Sequence, residues 1–425
     1  MSSEMLAFHG GSPAVTTAWS RDWPLIGKEE IVAVVDLLGR GVLSIYDRSD
    51  IIAELEDAFA SYHSVADKIP LALSQNSGTS TLHAAYFGLE LGPGDEVIVP
   101  TYTFLATVTP LLQCGAVPVF ADMDPVTLTL DPESVRERIS ERTRAIVVTH
   151  MWGHPAAMAD LGGICSQYRL PLVEDCSHAH GATLNGQKVG TFGDAACFSL
   201  EGHKPIAAGE GGVLLTRSRV VYERALLLGH FGRRAKDEVT IEELKRFVDT
   251  GFGHKYRMHP LGAAMALAQL QRLDGRNQQR EQNLNLLSSV LEPAPGIHPP
   301  VTRSGATRGG WYGYKPTYAS EELGGLPLPR YVEALHAEGV QIKRPGSPPL
   351  HRLPTFSLAR SEAQDLALPW ANTLNDRSRF WSCPVADEVF PTLLSLPTFS
   401  GACEQVITEY GEAFAKVGRA WRDLL

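Results

Sequence analysis

The chain has 425 residues, 44% of them hydrophobic and 20% charged, enough to bury a large core and, at roughly 100–200 residues per domain, room for two to four folding units. Its 38 Lys+Arg against 48 Asp+Glu give a formal charge of −10, which argues against a protein that coats nucleic acid or rests on a membrane surface. No apolar run reaches the length of about 18 residues that a membrane span needs, and residues 1–13 (MSSEMLAFHGGSP) lack a basic stretch leading into an apolar one, so a cytoplasmic protein is expected.

From about residue 70 to 220, short apolar runs alternate with helical patterns. The predicted strands are 96–100 (EVIVP), 117–121 (VPVFA), 145–149 (AIVVT), 171–174 (PLVE), 195–200 (AACFSL) and 212–216 (GVLLT). Predicted helices fall at 79–91, 104–114, 132–140 and 156–168. This alternation predicts an α/β fold whose mostly parallel sheet is sandwiched by helices, with ligands bound beyond the carboxyl ends of the strands. The last two strands have no helix between them, so they pair antiparallel or are joined by a long loop. Helices at 219–228 and 260–273 follow, the second apolar enough to be buried. A proline-rich boundary comes at 293–300 (PAPGIHPP). The remainder, β-like at 311–318 and 340–343 and helical at 328–338 and 404–423, predicts a smaller α+β domain. The expected organisation is an N-terminal arm (1–25), a large α/β domain (26–290) and a small C-terminal domain (291–425).

The six cysteines (Cys114, Cys165, Cys176, Cys197, Cys383 and Cys403) form no C-x-x-C pair and fit no zinc or disulfide framework. They read as small core residues of a reducing compartment, and no metal is expected.

Three segments can carry chemistry. Asn76-Ser77-Gly78-Thr79-Ser80 enters a predicted helix, where backbone N–H groups and the positive end of the helix dipole suit a phosphate; taken alone, the segment reads first as an ordinary N-cap. Glu174-Asp175-Cys176-Ser177-His178-Ala179-His180-Gly181 follows an apolar strand. There Asp175 could hold a ribose, a metal or a protonated ring nitrogen, with His178 beside the same ligand; or Asp175 caps a helix and the histidines are structural. Phe198-Ser199-Leu200-Glu201-Gly202-His203-Lys204-Pro205 leads into a Gly-Glu-Gly-Gly loop (Gly209–Gly212). A lone lysine is usually a surface lysine. Apolar, small flanks would push this one toward its neutral form, as a Schiff-base lysine requires. Phosphate at a helix start, ring nitrogen on an aspartate and aldehyde carbon on a lysine together describe pyridoxal 5′-phosphate. Tyr102-Thr103-Phe104, just past a strand, offers an aromatic ring to lie over the pyridine.

These segments in this order, with the N-terminal Gly10-Gly11-Ser12-Pro13 and the stretch 94–107 (GDEVIVPTYTFLAT), resemble the DegT/DnrJ/EryC1/StrS sugar aminotransferases along nearly the whole chain. The resemblance implies a homodimeric, fold-type I enzyme that carries pyridoxal phosphate, and pyridoxamine phosphate as its aminated form. It makes Lys204 the Schiff-base lysine and proton shuttle, and Asp175 the partner of the pyridine nitrogen. Phe104 is then stacked on the cofactor, Ser77, Gly78, Thr79 and Ser199 surround its phosphate, and His178 lies beside the ring. Some relatives carry histidine at the lysine position and are dehydratases. The family lysine falls five residues after the serine, which selects Lys204 over His203. At 253–258 the usual G-x-N-x-R becomes Gly253-His254-Lys255-Tyr256-Arg257-Met258, leaving Lys255 as a point charge for the partner subunit's cofactor phosphate.

Trp311-Tyr312-Gly313-Tyr314 and the segment 349–354 (PLHRLP) look like the branch that aminates keto-cyclitols such as scyllo-inosose and 2-deoxy-scyllo-inosose. The expected reaction moves an amino group from glutamine or glutamate to a keto-cyclitol or ketosugar, in natural-product biosynthesis of the aminoglycoside kind. The alternatives are a nucleotide-ketosugar aminotransferase or another pyridoxal-phosphate enzyme (lyase, aldolase or cyclase) on the same scaffold. Lys343 and Arg344, in 341–348 (QIKRPGSP), either meet an acidic donor or a diphosphate, or belong to a solvated loop.

Overall fold

The computed structural model describes residues 5–19, 23–358, 360–368, 371, 382–401 and 403–425. Positions 1–4 and 20–22 of the expected arm, and 359, 369–370, 372–381 and 402 of the expected C-terminal domain, lie outside the described residues. Seven strands form one sheet: β1 (Leu71–Gln75), β2 (Glu96–Pro100), β3 (Val117–Ala121), β4 (Thr143–Thr149), β5 (Leu172–Asp175), β6 (Ala195–Ser199) and β7 (Gly212–Thr216). Their order is β1-β7-β6-β5-β4-β2-β3. The pairs β2–β3, β2–β4, β4–β5 and β5–β6 are parallel, whereas β7 runs against both of its neighbours, β6 and β1. The open question of the last two strands is thus settled as an antiparallel pair.

Strands apolar at nearly every position must be covered on both faces, and these are. Val97, Val99, Val147 and Leu214 point into one core with Leu82 and Ala85 of the helix Gly78–Gly88. Their neighbours Ile98, Ile146 and Val148 point the other way, against Leu161 and Ile164 of the helix Met158–Tyr168. Further along that second face, Ala196, Phe198, Val213 and Leu215 meet Leu55 and Phe59 from Asp50–Tyr62 and Ala263 and Ala264 from Pro260–Gln271.

Several elements differ from the sequence expectation. Strand β1 (LALSQ) carries no run of β-branched residues. It is held by its pairing with β7 and by Glu56, whose Oε1 accepts from both the backbone N–H (2.8 Å) and the hydroxyl (2.7 Å) of Ser74. The predicted helix 104–114 is split into a 3₁₀ turn, Leu105–Thr107, and a helix, Thr109–Cys114, whose start is set by Pro110, a residue tolerated only in a first turn. A 19-residue helix, Leu273–Leu291, fills a region with little apolar text. Only Leu284, Leu287 and Leu291 at its far end are spaced to bury a stripe.

That stripe opens a separate C-terminal core, where the helix Glu404–Arg419 contributes Ile407, Tyr410 and Phe414 and the helix Leu328–Ala337 contributes Tyr331 and Leu335. Leu6 also packs there, and Glu338 ties the N-terminus down by accepting from the backbone N–H groups of Ala7 (2.8 Å) and Ala14 (2.9 Å). The β-like text at 311–318 forms a strand only at Thr317–Tyr318, and that at 340–343 only a bridge from Lys343 to Ser395.

Candidate active site

The carboxyl ends of the parallel strands converge on a cavity of about 400 Å³, a volume ordinary for a small-molecule site. Ser77, Gly78, Thr79, Phe104, Asp175, His178, Ser199 and Lys204 all line it. Of the residues expected to bind the cofactor, Lys255 alone stands apart: it is exposed, and its carbonyl accepts from the Asn76 amide at 3.4 Å.

Asp175 is the last residue of β5, paired in register with Cys197 of β6. Two residues beyond Cys197, β6 ends at Ser199 and the chain turns, with the Lys204 N–H donating to the Glu201 carbonyl at 2.8 Å. The lysine and the aspartate therefore rise from adjacent strands at the same edge. The Asp175 carboxylate is fixed on both oxygens: Oδ1 accepts from the backbone N–H of Ser177 at 3.0 Å and Oδ2 from the hydroxyl of Thr107 at 2.7 Å. The Thr107 hydroxyl continues to that of Thr103 at 2.7 Å, and Thr103 to Thr149 at 2.9 Å. These threonines were not singled out in the sequence, although Thr103 and Thr107 lie inside the stretch 94–107 that carries much of the family resemblance. Glu174, one residue earlier, faces the other side of the strand. There it accepts from the N–H groups of Gly190 (2.8 Å), Phe192 (2.8 Å) and Gly193 (2.7 Å) and contacts His150 Nε2 (3.0 Å), a structural duty.

Lys204 is buried, and removal from water pushes its amine down from the ordinary lysine value to about 8, against the pull of the Asp175 and Glu201 carboxylates. Its Nζ lies 4.1 Å from the centre of the Tyr312 ring. Next to it in the chain, His203 is exposed and lines a neighbouring cavity, its carbonyl accepting from the Trp23 indole at 2.9 Å. The turn hands the amine, and not the imidazole, to the cavity that holds Asp175.

His178 stacks on Tyr312 with ring centres 4.1 Å apart and planes 18° from parallel, and on Trp152 at 5.3 Å and 19°. Burial, with the charges of Lys204 and Lys315 added, drives its imidazole well below the ordinary histidine range, so it is neutral. Its Nδ1 has no hydrogen-bond partner among the described residues. Trp152 sits at φ 56°, an uncommon conformation for a bulky residue, and the near-parallel approach of its ring leaves no space at Gly313, where a Cβ would lie 2.4 Å from the indole.

At the other end of the cavity, Ser77 caps the helix Gly78–Gly88 by accepting from the Ser80 N–H at 3.1 Å. That satisfies one donor of the first turn. Gly78 touches β6 so closely that a Cβ would lie 2.7 Å from the Ser199 Cβ, bringing the helix start and the Ser199 hydroxyl to one corner. Phe104 projects half-exposed at the rim.

An N-terminal helix dipole, a fixed carboxylate and a buried amine surround one cavity at the strand ends, a combination chemically suited to an anionic heterocyclic aldehyde. Residues 24–409 match the DegT/DnrJ/EryC1/StrS aminotransferase family, and the chain belongs to it. It is 34% identical over 427 residues to an L-glutamine:2-deoxy-scyllo-inosose aminotransferase of Streptomyces kanamyceticus, covering 98% of this chain and 97% of that one. It is 36% identical over 340 residues to an L-glutamine:scyllo-inosose aminotransferase of Streptomyces griseus, covering 78% of each. Among solved structures it superposes on 3-amino-5-hydroxybenzoic acid synthase with a TM-score of 0.76 at 29% identity, covering 94% of this chain and 98% of that one. The protein is an aminotransferase.

Proposed function

We propose that this chain uses pyridoxal phosphate to move an amino group from glutamine or glutamate to the ketone of a keto-cyclitol, in two half-reactions at the one cavity. The observation that carries the reading is that the Lys204 amine and the doubly anchored Asp175 carboxylate line one cavity with the start of the helix Gly78–Gly88. The relatives named above supply the substrate class. When bound, pyridoxal phosphate supplies an aldehyde that bonds amines and a ring that takes up an electron pair.

The residues present fit that group. The helix start with its dipole and the Ser199 hydroxyl would form a cradle for its phosphate, in a corner that a side chain at position 78 would fill. Asp175, held by Thr107 and the Ser177 N–H, would be the partner of the ring nitrogen. His178 and Phe104, which line the same cavity, would flank the ring. Nζ of Lys204 takes the proton from the donor's α-carbon and returns it, a task that needs the neutral amine its burial favours. Proton transfer of this kind contributes roughly 10²–10⁴-fold.

We further propose a homodimer with shared sites. The helix Lys28–Gly39 leaves Ile31, Val32, Val35 and Leu38 exposed on one face, with Leu43 and Tyr46 exposed beyond it, an apolar surface suited to a second copy. Lys255, exposed and off its own cavity, is then available to the partner's phosphate. The six cysteines form no disulfide, which supports a reducing, cytoplasmic setting. No helix among the described residues is long and apolar enough to cross a membrane. The test is a spectrophotometric half-reaction with glutamine, glutamate and alanine, followed by mass detection of amine on scyllo-inosose, 2-deoxy-scyllo-inosose and a nucleotide-ketosugar. Amination of the nucleotide-ketosugar alone, or failure to release a keto acid stoichiometric with product, would defeat the reading.

A further inference from the structure

Among the described residues the Lys204 amine makes neither a hydrogen bond nor an ion pair. Its contact is with an aromatic face: Nζ lies 4.1 Å from the centre of the Tyr312 ring. The carboxylates of Asp175 and Glu201 act on it through space, and Glu210 lines the same cavity. The two histidines that feel its charge, His178 and His180, are buried and neutral. Lys315, the other charge felt by His178, has its Nζ 4.1 Å from the centre of the Trp152 ring.

The fold fixes the Tyr312 ring by close backbone approach. Residues 308–313 cross two turns of the site. A Cβ at Gly309 would lie 2.5 Å from the carbonyl oxygen of His180, in the turn that carries His178. A Cβ at Gly310 would lie 2.6 Å from Cγ of Pro205, the residue after Lys204. Trp311, next in the chain, sits at φ 42°, as uncommon for a bulky residue as the φ 56° of Trp152. The Tyr312 ring then stacks on His178 at 4.1 Å and lies 10° from parallel to Trp152, with centres 6.0 Å apart. Strained backbone persists where its surroundings over-determine it. Here it aims one ring at one amine.

An amine that shuttles a proton has conflicting needs. It must be neutral to take the proton and charged until it hands the proton on. A carboxylate bonded to it would stabilise the charged form strongly and hold it there. An aromatic face attracts the cation more weakly, through its quadrupole, and aims no lone pair at the proton.

We infer that Tyr312 is the positioning residue of the Lys204 amine, its ring face holding Nζ by a cation–π contact where a bonded carboxylate would otherwise be needed. The contact belongs to the cofactor-free chain; its use in proton transfer rests on the aminotransferase reading above.

The experiment titrates Lys204 in cofactor-free protein by competitive acylation across a pH series, with the modified peptide quantified by mass spectrometry. The variants are Tyr312→Phe, Tyr312→Leu, and protein carrying 3,5-difluoro- or 3,4,5-trifluorophenylalanine at position 312. The wild type should titrate near 8. Tyr312→Phe keeps the face and should stay within about 0.3 pH units of it. Tyr312→Leu removes the face and should lower the midpoint by about 0.5–1.5 pH units, the cation–π range expressed as a change in proton affinity. The sign is decisive, because a ring that only excluded water would, once removed, let the ammonium hydrate and the midpoint rise. Fluorination drains the negative face at nearly constant shape, so the midpoint should fall stepwise from phenylalanine through the difluoro to the trifluoro ring. That series decides alone if Tyr312→Leu fails to fold. In the loaded enzyme, the pH profile of the donor half-reaction should move with the titration. A midpoint that rises in Tyr312→Leu, or one that stays flat along the fluorinated series, overturns the inference. Turnover retained by Lys204→Ala would instead defeat the aminotransferase reading, and the titration of the cofactor-free chain still judges the pairing of Tyr312 with Lys204.

Discussion

The hydroxyl of Thr107 donates to Oδ2 of Asp175 at 2.7 Å, across 68 residues of sequence, and joins the carboxylate to a buried chain of threonines that ends at Thr149. An aspartate that must meet a ring nitrogen in one orientation needs such a clamp. Without it, the side chain can rotate about its own bonds and re-aim its charge.

Thr107→Val keeps the shape and removes the donor. Loss of a partner of this kind typically lowers activity or affinity about 10–100-fold. The expected result is a fall in turnover of that order, with a shifted absorption maximum of the bound cofactor and a melting temperature close to wild type. A variant with an unmoved spectrum and normal turnover would show that the Ser177 N–H holds Asp175 unaided.

The Lys204 amine, lowered by burial to about 8, is about one-tenth neutral at pH 7, where an ordinary lysine would be neutral in well under one part in a thousand. Its readiness to capture an aldehyde should rise with pH through a midpoint near 8. The measurement is the rate at which cofactor-free protein develops the visible band of lysine-bound pyridoxal phosphate; a midpoint above 10 would contradict the burial argument. Because the folded-state value is depressed, the unfolded chain holds a proton that the folded chain lacks between about pH 8 and the ordinary lysine value. Stability contributed by this group therefore rises with pH across that window. Lys204→Ala should lose the band and the turnover together.

Gly78→Ala places a methyl group 2.7 Å from the Ser199 Cβ, so either the helix start or the end of β6 must move. The expected outcome is a cofactor dissociation constant raised by about 10-fold or more, on the scale of one charged hydrogen bond lost from the cradle. Equilibrium titration with pyridoxal phosphate checks it.

Glu174 and Asp175 are adjacent, yet their replacements should separate cleanly. Glu174→Ala strands the N–H groups of Gly190, Phe192 and Gly193 in the interior, at about 1–3 kcal/mol for each buried donor left unsatisfied. A loss of at least about 3 kcal/mol in urea unfolding is expected. Asp175→Ala should unfold near wild type and lose turnover.

If sites are shared across a dimer, Val35→Asp should shift sedimentation toward monomer. Mixing Lys204→Ala with Lys255→Ala subunits should restore activity at low cofactor concentration, because one site of each mixed dimer keeps both lysines. No recovery on mixing would mean that Lys255 serves its own subunit or none.

Much of this was legible in the chain. Strands β2, β3, β4, β6 and β7 are mostly apolar, so their place in a two-faced sheet followed from composition. Ser199 and Lys204 could be counted into register. What could not be read depended on contacts distant in sequence. Strand β1 exists because Glu56 and β7 satisfy it, and neither is visible in LALSQ. Thr107 matters only because the fold brings it to Asp175. Tyr312 showed as part of an aromatic cluster, but its stacking on His178 and its place under the Lys204 amine arise from packing between the end of β5 and a segment more than a hundred residues later. Leu273–Leu291 was hidden because a helix bridging two cores has no continuous apolar stripe.

Consecutive residues of the turn after β6 look into different chambers, His203 into one and Lys204 into the other. Spacing is therefore itself a determinant of reactivity. Deleting one position between Ser199 and the lysine would leave every functional group in the protein and still disable it, while inserting one would favour the imidazole. A catalogue of which side chains persist among such enzymes would miss a change of this kind, and loop length at that corner should be scored beside residue identity.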